Sequence, residues 1–454
     1  MRWGVLVSLV SLPILGLSAG TEAERVGPLN PSGMAVADDR QEMAIVADSK
    51  GNCFVAFSAL RTDVNRSSVY FASIPAGGGL NGPAQALTPP RSGSPSLIQV
   101  GDALHLTWLE AMEGKKFQVG HRRSRDKGKT WSEPVYMSAG ISSRKPMLTS
   151  ATGGTLFAFL VTSQGGENQP DGIWCYRSGD EGATWQRVFP QNKAAGLVSE
   201  LSPLADSASV NLSWVETRPQ TFNLMFNRST DGGKTWHADP VVVSASQYPV
   251  AQVRLSSARG AFILFWKETG AGGDRILTSV SSDGGKSWKS PLEILERVRG
   301  LTYQVSVGPD NAFLIWVEER VTGPDRRFDL KLAQFEVSRL NRTDGAVIKT
   351  ATWTNTYLFR PDFLSLTKGE DLVAAAVVKE LTSYSSLFAI SSGKASSGGI
   401  VPIGPDEGER NRTLVAVVEL PEGLGVLYRE QPRRIVPQQD WPGELIFRRV
   451  PLSK

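Results

Sequence analysis

Six glutamates recur at one place in the sequence, just after an aromatic or apolar residue of an expected strand: Glu110, Glu216, Glu268 and Glu318, with Glu380 and Glu430 in similar places. Carboxylates at one level of a repeating structure could form a ring on one face, suited to cations or sugar hydroxyls. The competing reading is that strand ends meeting solvent need polar residues. Repeats copy structural residues into every unit, which favours that second reading. Other reactive side chains are sparse. His105, His121 and His237 show no ligand spacing, so neither a metal site nor a cofactor is expected. Cys53 and Cys175 fall in different repeats, and no disulfide between them is expected. Trp174, Trp353 and Trp441 lie outside the repeat pattern and could stack on sugar rings.

The elements that must position these residues are set by an octapeptide, S-x-D-x-G-x-[ST]-W. It begins at Ser124, Ser178, Ser229 and Ser281, and its aspartates, Asp126, Asp180, Asp231 and Asp283, lie 54, 51 and 52 residues apart. An aspartate at a turn start can accept backbone N–H bonds, so Asp231 closes the loop on itself. Gly233 supplies a backbone conformation that costs other residues steric energy. Thr235 re-enters an extended strand, and Trp236 gives that strand a large apolar anchor.

Strand patterns surround each octapeptide. An inward aromatic or apolar residue recurs at Phe57, Trp108, Phe159, Trp214, Trp266, Trp316, Val377 and Leu427, each on the second strand of a four-stranded unit. Spread over the chain after its leader, that gives about 54 residues per unit, in agreement with the octapeptide spacing. The last unit, Thr413 to Pro451, shows three strands, and a segment near Val26 to Met34 is expected to supply the fourth.

With 454 residues, 41% hydrophobic and 21% charged, the chain is a large globular protein and neither disordered nor fibrous. Net charge is +4, and pairs such as Arg122-Arg123 and Arg448-Arg449 form no basic stripe, so no nucleic-acid partner is expected. Residues 1–19 read as a signal peptide: Arg2, an apolar run from Val5 to Leu17, and Leu17-Ser18-Ala19 before Gly20. That run is too short for a membrane span, so export is the expectation. Asn65, Asn211, Asn227, Asn341 and Asn411 fit the glycosylation sequon.

The octapeptide at this period resembles the Asp-box, or BNR, signature of the sialidase-like superfamily of β-propellers. The resemblance implies an all-β propeller of four-stranded antiparallel blades. Eight second strands favour eight blades in a single domain, 20–454; the alternative is the superfamily's six-bladed ring followed by a β-rich segment from near 345.

The resemblance also implies a chemistry. Sialidases grip a sugar carboxylate with three arginines, whose planar forks match it bidentately. A tyrosine activated by a glutamate is their nucleophile and an aspartate their acid/base. Carried onto this chain, the arginines are Arg40, Arg218 and Arg275, the glutamate is Glu200, the nucleophile is Tyr303 within Thr302-Tyr303-Gln304, and the acid/base is Asp63 within Leu60-Arg61-Thr62-Asp63. Arg40 departs from the pattern, because Gln41-Glu42 stand where the superfamily has Ile-Pro. The implied function is recognition, with or without exo-sialidase hydrolysis, of terminal sialic-acid-type glycans or glycoproteins. The alternative is a non-catalytic propeller that serves as a binding scaffold.

Overall fold

The computed structural model describes residues 24–36, 40–61, 64, 66–113, 117–138, 141–142, 145–163, 172–188, 196–206, 209–298, 302–322, 325–340, 347–353, 362–368, 371–379, 385–391, 400–402, 410–432 and 443–451. The expected leader, Asp63, Trp441, Glu380, Asn65 and Asn341 lie outside the described residues, as do the side chains of Trp353 and Asn411.

The protein is an all-β propeller of small antiparallel blades. Its strands are ordered within each sheet from the innermost outward, with neighbours in sequence paired. In the first sheet Met34–Val36 and Met43–Ala47 both pair with Cys53–Arg61, followed by Arg66–Ile74 and Gln85–Ala86. The second runs Ser92–Val100, Ala103–Ala111, Phe117–Ser124, Val135–Ser138. In the third, Ile141–Ser142 and Met147–Ser150 pair with Leu156–Ser163, then come Gly172–Ser178 and Gln186–Arg187. The fourth comprises Leu197–Ala205, Val210–Arg218, Thr221–Ser229 and Val241–Ser246; the fifth Val250–Ala258, Ala261–Gly270, Gly273–Ser281 and Leu292–Val298. The sixth is Thr302–Val307, Asn311–Thr322, Asp325–Glu336 and Val347–Trp353, so a boundary at 345 would cut through a sheet. The seventh is Asp362–Lys368, Asp371–Lys379, Ser385–Ser391 and Ile400–Pro402. The eighth is Arg410–Leu420, Gly423–Pro432 and Glu444–Pro451, with Glu24–Val26 as its outermost strand. The closing strand thus lies just before the expected Val26–Met34 segment and overlaps it at Val26.

Innermost strands pack in chain order around the ring, and Arg410–Leu420 returns to lie beside Met43–Ala47. Between each pair of neighbouring sheets lies one hydrophobic cluster. Phe54, Phe71, Leu106 and Trp108 fill the seam of the first and second sheets, and Phe265, Ile276, Tyr303 and Trp316 that of the fifth and sixth. Second strands are therefore buried on both faces. Phe262, Leu264 and Trp266 point toward the fourth sheet, whereas Ile263 and Phe265 point toward the sixth. This explains why Leu104 to Leu109 are all buried, where the sequence suggests alternation of apolar and polar residues. All eight marker residues from Phe57 to Leu427 sit inside second strands and are buried.

The four octapeptides form one repeated turn. Ser229 Oγ accepts from Gly233 N at 2.9 Å and donates to Asp231 Oδ1 at 2.8 Å, while Thr235 N and Oγ1 donate to the same carboxylate. Hydrogen bonds from the Thr184 hydroxyl and amide hold the Asp180 carboxyl down to about 2. The turn glycine is required twice over. Gly285 has φ +85°, and a Cβ there would lie 2.1 Å from the Phe226 ring of the preceding sheet. Trp288 meets the same ring edge-on at 5.2 Å, so each turn clamps its sheet to the one before.

Candidate functional site

Strand direction decides which residues share a face. Each innermost strand starts on one face of the ring and each second strand returns to it, so the Asp-box turns, which follow third strands, lie on the other. Arg40 and Glu200 stand before or near the start of innermost strands, Tyr303 at the start of one, Arg218 at the end of a second strand and Arg275 at the start of a third. All five thus lie on the face away from the boxes, called here the axial face.

The recurrent glutamates shape its rim. Trp214 Nε1 donates to Glu216 Oε1 (3.3 Å), Trp266 Nε1 to Glu268 Oε1 (3.2 Å) and Trp108 Nε1 to Glu110 Oε2 (3.4 Å). Glu318 pairs with Lys331, and Glu430 with Arg412 and Arg25. The second-strand indole and the glutamate two residues on form a buried structural pair, the reading the repeat favours. Two candidate arginines belong to this scheme. Arg218 Nη2 donates to Glu216 Oε2 at 3.0 Å. Arg275 donates through Nη2 and Nε to Glu268 Oε2 at 2.6 and 3.1 Å and lies over the Tyr248 ring at 5.1 Å. Both keep part of the guanidinium exposed, with side-chain exposures of 42% and 36%.

Closer to the axis four innermost strands slip in register among the described residues, Arg410–Leu420 between Leu414 and Ala416 and three others that carry a left-handed non-glycine residue at the slip. The registers of these three slip between Gly93 and Ser96, Ser199 and Ser202, and Ala251 and Arg254, with Ser94, Glu200 and Gln252 at φ of 53°, 56° and 55°. Non-glycine residues in this region store strain that tends to gather at functional sites. Two of these bulges are gripped from neighbouring sheets, those at Ser94 and at Gln252. Glu42 accepts from Ser94 N (2.7 Å), Ser94 Oγ (2.8 Å) and Ser58 Oγ (2.5 Å), which gives the Gln41-Glu42 departure a structural use. Glu200 Oε2 accepts from Val253 N at 3.3 Å, and Tyr303 Oη donates to Gln252 O at 2.7 Å.

The candidates are therefore brought together only in part. Glu200 and Tyr303 converge on Gln252-Val253 of the fifth sheet, which lies between theirs. Tyr303 is buried there, and that burial pushes its phenol far above the ordinary range; Arg254 opposes the shift and Glu200 adds to it. Arg218 and Arg275 sit in adjacent sheets. Arg40 lies at the seam of the first and eighth sheets, where Nε donates to Leu414 O at 2.9 Å, and the second and third sheets separate it from the fourth.

Sequence reasoning missed two features. Arg254 is exposed on the innermost strand of the fifth sheet, next to the bulge, with no hydrogen bond or ion pair among the described residues. Its signal was an arginine at an alternating position of a strand start, two residues after Gln252 in Val250 to Leu255. His105 and His121, which show no ligand spacing in the sequence, are brought together across two paired strands, with Nδ1 of the first 3.3 Å from Nε2 of the second. Burial pushes them down to about 4 and about 3. The strand register, His121 opposite Thr107, was the signal available.

Other expectations meet their surroundings. The Arg187 guanidinium lies over one face of Trp174 at 4.8 Å, so that face is occupied. Asn211 and Asn227 are buried and hydrogen-bonded to Leu204 O and His237 O, which makes them interior residues rather than glycan acceptors. Cys53 and Cys175 are buried free thiols in separate clusters. Among the described residues no group of three or more His, Cys, Asp or Glu side chains is placed to hold a metal, and no helix is long and apolar enough to cross a membrane.

Residues 84–338 match the family model described as BNR repeat-like domain. No curated protein matches the sequence. Solved structures with a similar fold include a protein of unknown function from Dyadobacter fermentans, at 13% identity over 69% of this chain and 97% of that one, TM-score 0.42. The Trypanosoma rangeli sialidase bound to the inhibitor DANA is 14% identical over 81% of this chain, which spans 56% of it, TM-score 0.38. The phage phi92 endosialidase is 11% identical over 95% and 69% of the two chains, TM-score 0.44. At such scores the likeness carries no argument about chemistry, which rests on this chain's own residues.

Proposed function

We propose, for a chain that belongs to the BNR repeat-like domain family, that it is an exported propeller that recognises acidic glycans on its axial face without hydrolysing them. Its eight sheets are read as eight blades of one ring, with Glu24–Val26 completing the last blade. The observation that carries the reading is the state of Tyr303. A phenol is a poor nucleophile unless a base can take its proton at the moment of attack. Here the hydroxyl is buried and donates to the Gln252 carbonyl, and Glu200 accepts a backbone N–H instead of the phenol proton. For an anionic ligand the axial face offers the exposed guanidinium of Arg254, with the half-exposed edge of Arg218 farther out, while Arg275 is already shared between Glu268 and Glu293. Arginine forks suit carboxylates, and the strained bulges hold Arg254 on a rigid strand rather than a loop.

The test pairs calorimetry against sialyllactose and uncharged lactose with an aryl sialoside assay. The expected result is binding of the acidic ligand, weakened about tenfold in Arg254→Ala by loss of one charge-assisted contact, and no fluorophore release. Release that disappears in Tyr303→Phe would overturn the non-hydrolytic reading. Equal indifference to both sugars would leave a scaffold without glycan recognition.

A further inference from the structure

Two seams built on the same plan differ in one pair of side chains. In the first sheet Phe54 and Phe71 stack 6.3 Å apart, and Gly128 and Trp131 of the next box dock on Phe71. At the equivalent register of the second sheet stand His105 and His121, stacked at 5.5 Å, and Gly182 and Trp185 of the third sheet's box dock on His121. Both imidazoles are buried, at 1% exposure. Repeats copy residues that serve packing, and phenylalanines would fill this space without desolvating two imidazoles. The departure marks a local requirement.

Beside the pair, on the box face, lies a cavity of about 400 Å³ lined by His105, Arg125, Gly153, Gly154, Asp180 and Glu181, among others. That volume falls in the range of small-molecule sites. Asp180 spends its oxygens inside its own turn, on Ser178 and Thr184. Glu181 gives Oε2 to Arg123 and Arg125, which leaves Oε1 as an acceptor and most of the exposed Arg125 fork as donors. Of the charged lining residues, Arg125 pairs with Glu181, which also pairs with Arg123 from outside the lining, and Asp180 is satisfied within its turn, so a neutral guest suits the cavity better than an ion. His105 holds Nδ1 against His121, so Nε2 is left for the cavity. If His105 donates to His121, Nε2 accepts; if His121 donates, Nε2 carries the proton. A hydroxyl serves either tautomer, because it both donates and accepts.

We infer that this cavity is a binding site for a neutral polyhydroxylated ligand of monosaccharide size, held by His105, Arg125 and Glu181. It lies on the face opposite Arg254 and does not depend on acidic-glycan recognition there.

Saturation-transfer NMR and calorimetry of the full chain with glucose, galactose and N-acetylglucosamine, and sialic acid as the acidic control, test it. At least one neutral sugar should bind. His105→Phe/His121→Phe, which rebuilds the packing of Phe54 and Phe71, should keep a cooperative thermal transition and weaken that binding about tenfold or more, the loss of a buried hydrogen-bond partner. Glu181→Gln, at an exposed position, should weaken it several-fold without touching the core and decides the matter should the double variant fail to fold. Arg254→Ala should leave it unchanged. Absence of neutral-sugar binding to the wild-type chain, or binding that persists in the folded double variant or in Glu181→Gln, would overturn the site.

Discussion

On the box face four turns repeat almost bond for bond: glycine amide to serine hydroxyl, serine hydroxyl to aspartate, and the amide and hydroxyl of a threonine, or of Ser287 in the fourth, to the same aspartate. On the axial face no two bulges are alike. Glu42 grips one, Glu200 and Tyr303 together grip another, and the residue at the strained φ is a serine, a glutamate or a glutamine. The contrast separates two demands on one chain. Regularity belongs where turns clamp sheet to sheet, and a repeat duplicates whatever achieves that. Individuality belongs where a single point of the ring meets a ligand, since a ligand does not share the ring's symmetry. The second-to-third seam breaks the rule on the box face, and it is there that the cavity lies.

The largest effect expected on the regular face comes from its glycines. Gly285→Ala puts a Cβ 2.1 Å from Phe226 at φ +85°. A left-handed penalty of about 1–2 kcal/mol and overpacking of about 1–3 kcal/mol should together cost about 2–5 kcal/mol in urea unfolding. Stability unchanged within error would mean that the box is not a clamp.

Acid should single out the exceptional seam. His105 and His121 are neutral when folded and held below their ordinary range by burial, with Arg123 and Arg125 adding to the effect on His105 and Glu181 opposing it. The unfolded chain therefore binds more protons below pH 6.5, so stability is present in full above 6.5 and falls as pH drops toward about 4. A shift of this size is worth on the order of 2–4 kcal/mol by pH 4. The box aspartates Asp126 and Asp180, held near 2, lose their contribution only below about 4, so the two windows separate. Thermal transitions measured from pH 7 to 4 should fall for the wild type and stay flat for His105→Phe/His121→Phe.

Within a single box, Ser229→Ala leaves the buried Gly233 N–H without its partner. The cost expected in denaturant unfolding is about 1–3 kcal/mol, with binding on the axial face unchanged. Loss of binding with full stability would erase the distinction between the faces.

These contrasts also mark what was legible in the sequence. Four boxes at a fixed period made the propeller readable, since a turn that needs Ser, Asp, Gly and Trp together leaves its types in the chain. Trp214 and Trp266 announced second strands for the same reason: a residue buried on a surface shared by two sheets must be large and apolar. The bulges left no such trace. Ser94, Glu200 and Gln252 adopt a conformation that no residue type among them favours, and at Ser94 and Gln252 it is held by a neighbour 50 or so positions away in another sheet. The resemblance put Tyr303 and Glu200 at the starts of innermost strands, yet it could not show that the hydroxyl faces a carbonyl. Arg218 and Arg275 were found as arginines at strand ends, while their pairing with Glu216 and Glu268 needed the fold.

The smallest expected effect bears most directly on the axial face. Tyr303→Phe removes one hydrogen bond, from the phenol to Gln252 O, and keeps the ring that packs with Phe265 and Trp316. A single neutral hydrogen bond of this kind is worth about 0.5–1.5 kcal/mol, so the loss in denaturant unfolding should stay in that range. The Gln252 bulge should loosen slightly, and because Arg254 sits two residues on, the affinity for an acidic glycan should drop by no more than a few-fold. A seam residue predicts this small, coupled pair of changes. A nucleophile predicts the reverse pattern: stability and binding close to those of the wild type, with an existing rate of sialoside release almost abolished. Measuring unfolding, binding and release on the same preparation separates the two, because no single packing change produces the second pattern.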